Sequence, residues 1–147
     1  MKSVYLVGPI GGLSYEDATQ WRVEAREVLE ARHWDVFDPM TGHESLKGEK
    51  DIGVGLGNAK FVENGCIFHS DLFRINEADI LLVNLLKLSP KQSVGTFFEY
   101  GYGYANKKMI ITVTTDSYIS KHPFIVGSSI VVSSMEQAYE LINNLVR

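Results

Sequence analysis

The sequence predicts an α/β protein built on a doubly wound, five-stranded parallel sheet with helices on both faces. Three observations carry that expectation. β-rich runs alternate with amphipathic helical patterns along the chain, the pattern of strand–helix–strand units. The run Ile80 to Leu85 is almost wholly apolar, as strands covered on both faces are. The run Lys2 to Val7 stops at a glycine turn, Gly8-Pro9-Ile10-Gly11-Gly12, which suits a buried central strand. At 147 residues the chain reads as one domain, residues 1–147, since domains commonly span ~100–150 residues.

The elements follow in order. Ser14-x-x-Asp17 has the form of a capping box, and Ala18, Trp21, Ala25, Val28 and Leu29 then recur at helical spacing. Trp34 to Phe37 reads as a short strand closed by Asp38-Pro39. Residues 40–64 lack periodicity and carry His43, Gly48, Gly53, Gly55, Gly57 and Asn58. A connection of that length reads as an insertion or lid. A helix is expected from Gly65 to Asn76, with Ile67, Phe68, Leu72 and Ile75 as its apolar residues. After the strand Ile80 to Leu85, a loop from Lys87 to Val94 leads into a helix from about Gly95 to Asn106. Met109 to Thr114 is a strand, Asp116 to Lys121 a polar loop, and Ser129 to Val132 a short strand. Ser134-x-x-Gln137 caps a last helix whose apolar face is Met135, Ala138, Leu141, Ile142 and Leu145.

Composition excludes several functions. The formal charge is -4 and no basic run exists, so a nucleic-acid polymer is not the expected partner. The single cysteine, Cys66, excludes a disulfide framework and a multi-cysteine zinc site. Cys66-x-x-His69-x-Asp71 lacks a second ligand cluster, and His33, His43 and His122 are scattered, so no metal is expected. No apolar stretch reaches the ~20 residues of a membrane span, and the N-terminal one is too short for a signal. A cytoplasmic protein without a membrane or a cofactor is the expectation.

In sheets of this class ligands bind beyond the carboxyl ends of the strands, at the topological switch point. That directs attention to residues 8–13, 38–64, 86–95 and 115–124. The first glycine turn lets backbone approach a ligand closely, but it is neither G-x-G-x-x-G nor a Walker loop. By itself it reads first as a tight strand-to-helix turn. Gly53-Val54-Gly55-Leu56-Gly57 follows no strand and reads as lid. The most informative stretch is Ser93-Val94-Gly95-Thr96-Phe97-Phe98-Glu99. Glu99 falls near the start of a helix at the crevice, where the helix N-terminus favours an ionised carboxylate. It is then available as a nucleophile, or merely complements the dipole. Phe98, Gly101, Tyr102 and Ala105 are expected to face the sheet, with Glu99 at the rim. Asp71, early in the preceding helix, is the second candidate carboxylate, with an ordinary capping or surface role as the alternative. Tyr5, in a buried strand, needs a partner for its hydroxyl. Phe97, Tyr100 and Tyr104 make a second aromatic stripe that suggests a subunit interface, unless loops of the same chain cover it.

Together these residues resemble a family. Tyr5-Leu6-Val7-Gly8-Pro9-Ile10 is similar to the opening of the nucleoside 2-deoxyribosyltransferases. Asp71-Leu72 followed by Ala78-Asp79 is similar to that family's middle motif. Gly95-Thr96-Phe97-Phe98-Glu99-Tyr100-Gly101, then Lys107-Lys108-Met109, resembles its Gly-Thr-x-x-Glu-x-Gly signature and following strand. The resemblance implies a flavodoxin-like fold and cleavage of a nucleoside N-glycosidic bond. It implies Glu99 as nucleophile toward the anomeric carbon of 2-deoxyribose, Asp71 as proton donor to the departing base, and Tyr5 as the residue that holds Glu99. This is the two-carboxylate logic of retaining glycosyl transfer. It also implies substrate contacts at Gly8, Pro9, Ile10, Gly11, Ser93 and Gly95.

Ser93 stands where the transferases carry a third carboxylate. A serine there resembles the related 2'-deoxynucleoside 5'-phosphate N-hydrolases, where it contacts phosphate. Those hydrolases also place Ser and Arg in the first glycine turn, where this chain has Pro9 and Gly11. His122-Pro123-Phe124 lies about where the transferases lend a segment to a neighbouring subunit, which implies substrate contacts at His122 and Phe124 in a homo-oligomer with sites near subunit interfaces. The implied partners are a small-molecule nucleoside or nucleotide and a free base. A transferase is thus expected first and an N-hydrolase second. A non-catalytic nucleotide sensor and a plain protein-interaction module are the readings from other classes.

Overall fold

The computed structural model describes residues 2–44, 47, 48, 50, 66–88 and 93–145. Most of the 40–64 segment, including the glycines 53, 55 and 57 and Asn58, lies outside the described residues.

Five parallel strands form one sheet in the order β2-β1-β3-β4-β5. They are β1 (Ser3–Val7), β2 (Asp35–Phe37), β3 (Ile80–Asn84), β4 (Met109–Val113) and β5 (Ile130–Val132). The helices are α1 (Tyr15–Glu30), α2 (Cys66–Glu77), α3 (Val94–Ala105), α4 (Pro123–Ser128) and α5 (Met135–Asn144), with a 3-10 turn at Ile119–Lys121. The order reverses between β1 and β3, which places the switch point at the carboxyl ends of those two strands.

The sequence signals act as read at both long caps. The Ser14 hydroxyl accepts from the Asp17 backbone N–H at 3.0 Å, and the Ser134 hydroxyl from that of Gln137 at 3.2 Å. Each satisfies one of the donors a helix start leaves open. β1 and β3 are buried at every residue, because helices cover both faces. On one face Val4, Leu6, Val36, Leu82 and Ile111 meet Ala25 and Leu29 of α1 and Ala138 and Ile142 of α5. On the other, Tyr5, Val7, Leu81, Val83 and Ile110 meet Ile75 of α2, Tyr100 of α3 and Ile125 of α4. β1 pairs with β3 from Val4 to Val7, but with β2 only from Ser3 to Tyr5. The last turns of β1 are therefore open on the β2 side.

Three expectations change. The polar loop after β4 holds the 3-10 turn and α4, begun by the His122 side chain accepting from the Phe124 N–H. On α3 the sheet-facing residues are Thr96, Tyr100 and Gly103, not Phe98, Gly101, Tyr102 and Ala105. Phe98, Gly101 and Ala105 are exposed and Tyr102 is half-buried. The expected aromatic stripe also divides, since Tyr100 is buried while Phe97 and Tyr104 are exposed. The helix has rotated toward its small residues: Gly103 fits against Leu81 where a larger side chain has no room.

Candidate active site

The site forms where one face of the switch point meets α2 and α3. Tyr5 points to that face from β1 and is fully buried. Asp71 comes from the second turn of α2 and Glu99 from the second turn of α3. Both are half-buried. The three act on one another electrostatically, so the fold brings together the three residues expected to be catalytic.

Burial dominates their titration. It raises the Asp71 carboxyl to about 6, against the opposing effects of the Tyr5 hydroxyl, Arg22 and Arg74. It raises Glu99 further, to about 8, and repulsion from Asp71, which ionises first, adds to it. Arg22 and the Tyr5 hydroxyl pull Glu99 back down. Glu99 thus departs from the expectation of a carboxylate kept ionised by a helix N-terminus. It lies beyond the first turn, where the dipole fades, and desolvation governs it. Between about 6 and about 8 the pair carries one proton. Burial, with the two carboxylates next, raises the Tyr5 hydroxyl far above its ordinary range, so it remains a neutral donor. Its oxygen is the buried side-chain polar atom without a partner in full hydrogen-bond geometry among the described residues. It is poised toward both carboxylates and locked onto neither.

The first glycine turn follows β1 directly. Gly8 and Pro9 are buried, and Ile10 and Gly11 half-buried. A Cβ on Gly8 would come to 3.0 Å from both the Asn84 carbonyl and the Trp21 ring, so a larger residue here would have to push one of them back. Ser93 occupies the N-cap position of α3 without capping it through its side chain, and Gly95 is exposed beside it. Phe68, one turn before Asp71, and Phe98, next to Glu99, bring their rings to 5.3 Å at 59°. That pair was not expected as part of the site. His122 and Phe124 form a further cluster with Tyr118, with ring centroids 5.5 and 5.7 Å apart, on the same carboxyl edge of the sheet.

Sequence reasoning also missed Arg22, which is fully buried behind the glycine turn. The signal was present: Arg22 falls between Ala18, Trp21 and Ala25 in the apolar stripe of α1. Two hollows lie elsewhere. A groove of about 840 Å³ runs along β5 and α5 past Thr114, Val132 and Gln137. A cleft of about 300 Å³ lies on the α1 side of the switch point, between Trp21 and Leu86. The carboxylates line neither.

A profile of the family described as Nucleoside 2-deoxyribosyltransferase matches residues 4–142. The chain belongs to that family. The match runs through all five strands and all three candidate catalytic residues. Among solved structures, the 2-deoxyribosyltransferase of Bacillus psychrosaccharolyticus is similar at a TM-score of 0.66 and 22% identity, over 97% of this chain and 90% of that one. The CMP N-glycosidase BcmB of Clostridium botulinum is similar at 0.60 and 18%, over 98% and 99%. BlsM is similar at 0.64 and 17%, over 97% and 87%. At these identities the likeness speaks to the fold, which is that of the nucleoside deoxyribosyltransferases. No curated protein matches the chain in sequence. Membership in the nucleoside 2-deoxyribosyltransferase family makes the chain an enzyme of the deoxyribosyltransferase and N-glycosidase type, with nucleosides or nucleotides as its small-molecule substrates. Among the described residues, no helix is long and apolar enough to cross a membrane.

Proposed function

We propose that this nucleoside 2-deoxyribosyltransferase family member cleaves and transfers at the N-glycosidic bond of 2'-deoxyribonucleosides through a covalent glycosyl-Glu99 intermediate. The observation that carries the reading is the meeting of Asp71, Glu99 and Tyr5 in one desolvated site, where burial raises both carboxyls. A retaining transfer needs one ionised and one protonated carboxyl in the same site.

In the first half, a Glu99 carboxylate oxygen bonds to C1' as the C1'–N bond breaks. The electron pair leaves with the base, which takes the proton from Asp71. The reactive arrangement, ionised Glu99 with protonated Asp71, reverses the resting order of ionisation, and the positive charge that develops on the sugar in the transition state favours it. In the second half, Asp71 removes a proton from the acceptor, whose nitrogen bonds to C1' and expels Glu99. Tyr5 donates toward Glu99 and holds it. The first glycine turn, Ser93 and Gly95 border the sugar, while Phe68 and Phe98 offer an aromatic wall to a base. His122 and Phe124 serve a site in a homo-oligomer, reaching substrate from the same edge or from the adjoining subunit.

Assembly rests on α3. Its outward residues Val94, Phe97, Phe98, Gly101, Tyr104 and Ala105 are exposed and uncharged, with Phe98 at 49% and Tyr104 at 56%. Monomers seldom present such a face to water. A second copy is its proposed partner, and Tyr104→Lys should lower the mass measured by light scattering.

Ser93 favours a second reading, release of base to water from a deoxynucleoside 5'-phosphate, because its side chain does not cap α3 and is open to a phosphate. One assay separates the two. The protein is incubated with deoxynucleosides and their 5'-phosphates, with and without acceptor base, and free base is followed by chromatography. Exchange only with acceptor supports the transferase, and release in water supports the hydrolase. A ligand that raises the melting temperature without turnover supports a binding module instead. Glu99→Gln should lower turnover at least ~100-fold, and unchanged turnover sinks the mechanism.

A further inference from the structure

Arg22 is a full charge in a place that suits an aliphatic side chain. It is 0% exposed in the stripe by which α1 packs on the sheet. Burying a guanidinium costs several kcal/mol unless its surroundings repay it. Its hydrogen bonds are specific. Nε donates to the Ala18 carbonyl at 2.8 Å, Nη1 to Leu6 at 3.0 Å and Nη2 to Gly8 at 2.9 Å. Pairing of β1 with β2 ends at Tyr5, and Arg22 takes up carbonyls of the chain beyond it. Its face lies against Trp21, 4.5 Å from the ring centroid.

These acceptors are neutral. The nearest carboxylate, Asp38 at the end of β2, stays at 4.0 Å and spends an oxygen on the Met40 N–H at 2.9 Å. Much of the positive charge is therefore not cancelled locally. The groups that feel it are Asp38, Glu99, Tyr5 and Asp71. Three of the four are the proposed catalytic set on the opposite face.

We propose that Arg22 is a positioning residue: from behind the sheet it pins the Leu6 and Gly8 carbonyls of the first turn and supplies the buried positive charge that balances the Asp71–Glu99 pair. It does not reach substrate. The inference rests on the catalytic reading of that pair, but its test does not need turnover. The groups around the carboxylates are Tyr5 from β1, Arg74 from α2, Arg22 from α1 and each other.

The experiment is a carbon-13 NMR titration of the Asp71 and Glu99 carboxyls in the full chain, with signals assigned through Asp71→Asn and Glu99→Gln. Arg22→Gln should raise both midpoints by about one unit, a tenfold change in each ionisation constant. Arg22→Lys keeps the charge but not the three-way fork, so its midpoints stay near wild type while the melting temperature falls. A folded Arg22→Gln with unmoved midpoints reduces Arg22 to a structural clamp and overturns the proposal. If Arg22→Gln does not fold, Arg22→Met, linear and without polar groups, is titrated in its place, and unmoved midpoints there overturn the proposal. Shifted midpoints alongside full turnover in Glu99→Gln would uphold the role of Arg22 and sink the catalytic reading instead.

Discussion

Gly103 packs directly on Leu81, so closely that a Cβ at position 103 would overlap Leu81 Cδ2. Leu81 is fully buried in the middle of β3 and has little freedom to yield. This contact sets the rotation of α3 and so brings Glu99 to the site. In a helix interior Gly→Ala normally gains ~1 kcal/mol. Here overpacking, worth ~1–3 kcal/mol, should outweigh it. Gly103→Ala is expected to lose up to about 2 kcal/mol in urea denaturation. A variant as stable as wild type would show that Leu81 moves aside cheaply.

The coupled carboxylates predict a bell-shaped pH dependence. Activity needs one proton on the pair, a state bounded by about 6 and about 8. kcat/KM should fall on the acid side of the lower value, as Glu99 and Asp71 are both protonated, and on the alkaline side of the higher, as the last proton leaves. Asp71→Asn should remove the two-limbed shape. A flat profile from pH 5 to 9 is incompatible with this site.

Glu99 also makes stability depend on pH. Its folded pKa lies above the ordinary 4.5, so the folded chain binds the proton more tightly than the unfolded one. Stability must fall as pH rises from about 4.5 to about 8, then level off. Glu99→Gln removes that loss. Relative to wild type it should gain stability at pH 8, by ~1 kcal/mol or more, equivalent to ~3–4 °C in Tm. At pH 4.5 the gain should vanish. Equal Tm differences at the two pH values would refute the assigned burial of this carboxyl.

Tyr5→Phe separates fold from function. The hydroxyl is buried without a well-formed hydrogen bond, so its removal should cost nothing in stability and gain up to ~1 kcal/mol. It also removes a group that draws the Glu99 and Asp71 pKa values down. Both limbs of the pH profile should move to higher pH, and kcat should drop. A Tyr5→Phe protein with unchanged limbs would mean that the hydroxyl does not touch the pair.

Much of this was legible in the chain. Apolar strands and serine caps speak through local rules, and β1, β3, Ser14 and Ser134 all follow them. Tyr5, Asp71 and Glu99 meet as the fold places them, because each lies near the switch point. The α3 face was misread because sheet packing there is decided by the small residues Thr96 and Gly103, while hydrophobicity alone favours Phe98. The Glu99 charge state was misread because desolvation is a property of the assembled site and outweighs a local dipole. Arg22 escaped notice because a lone basic residue in an apolar stripe looks like a side chain turned to water. Its partners are backbone carbonyls sixteen and fourteen residues away, which no side-chain pattern announces.

The outward face of α3 also matters at the bench. Environment-sensitive dyes brighten on apolar surface, and this chain offers Val94, Phe97, Phe98 and Tyr104 before any unfolding. Under the proposed assembly, a dye-based melt should start bright in dilute, dissociated samples and dark where copies have paired. The starting fluorescence becomes a readout of association, and dilution alone should raise it. Trp21 and Trp34, packed with the core on the opposite side of the sheet, give the cleaner signal for unfolding.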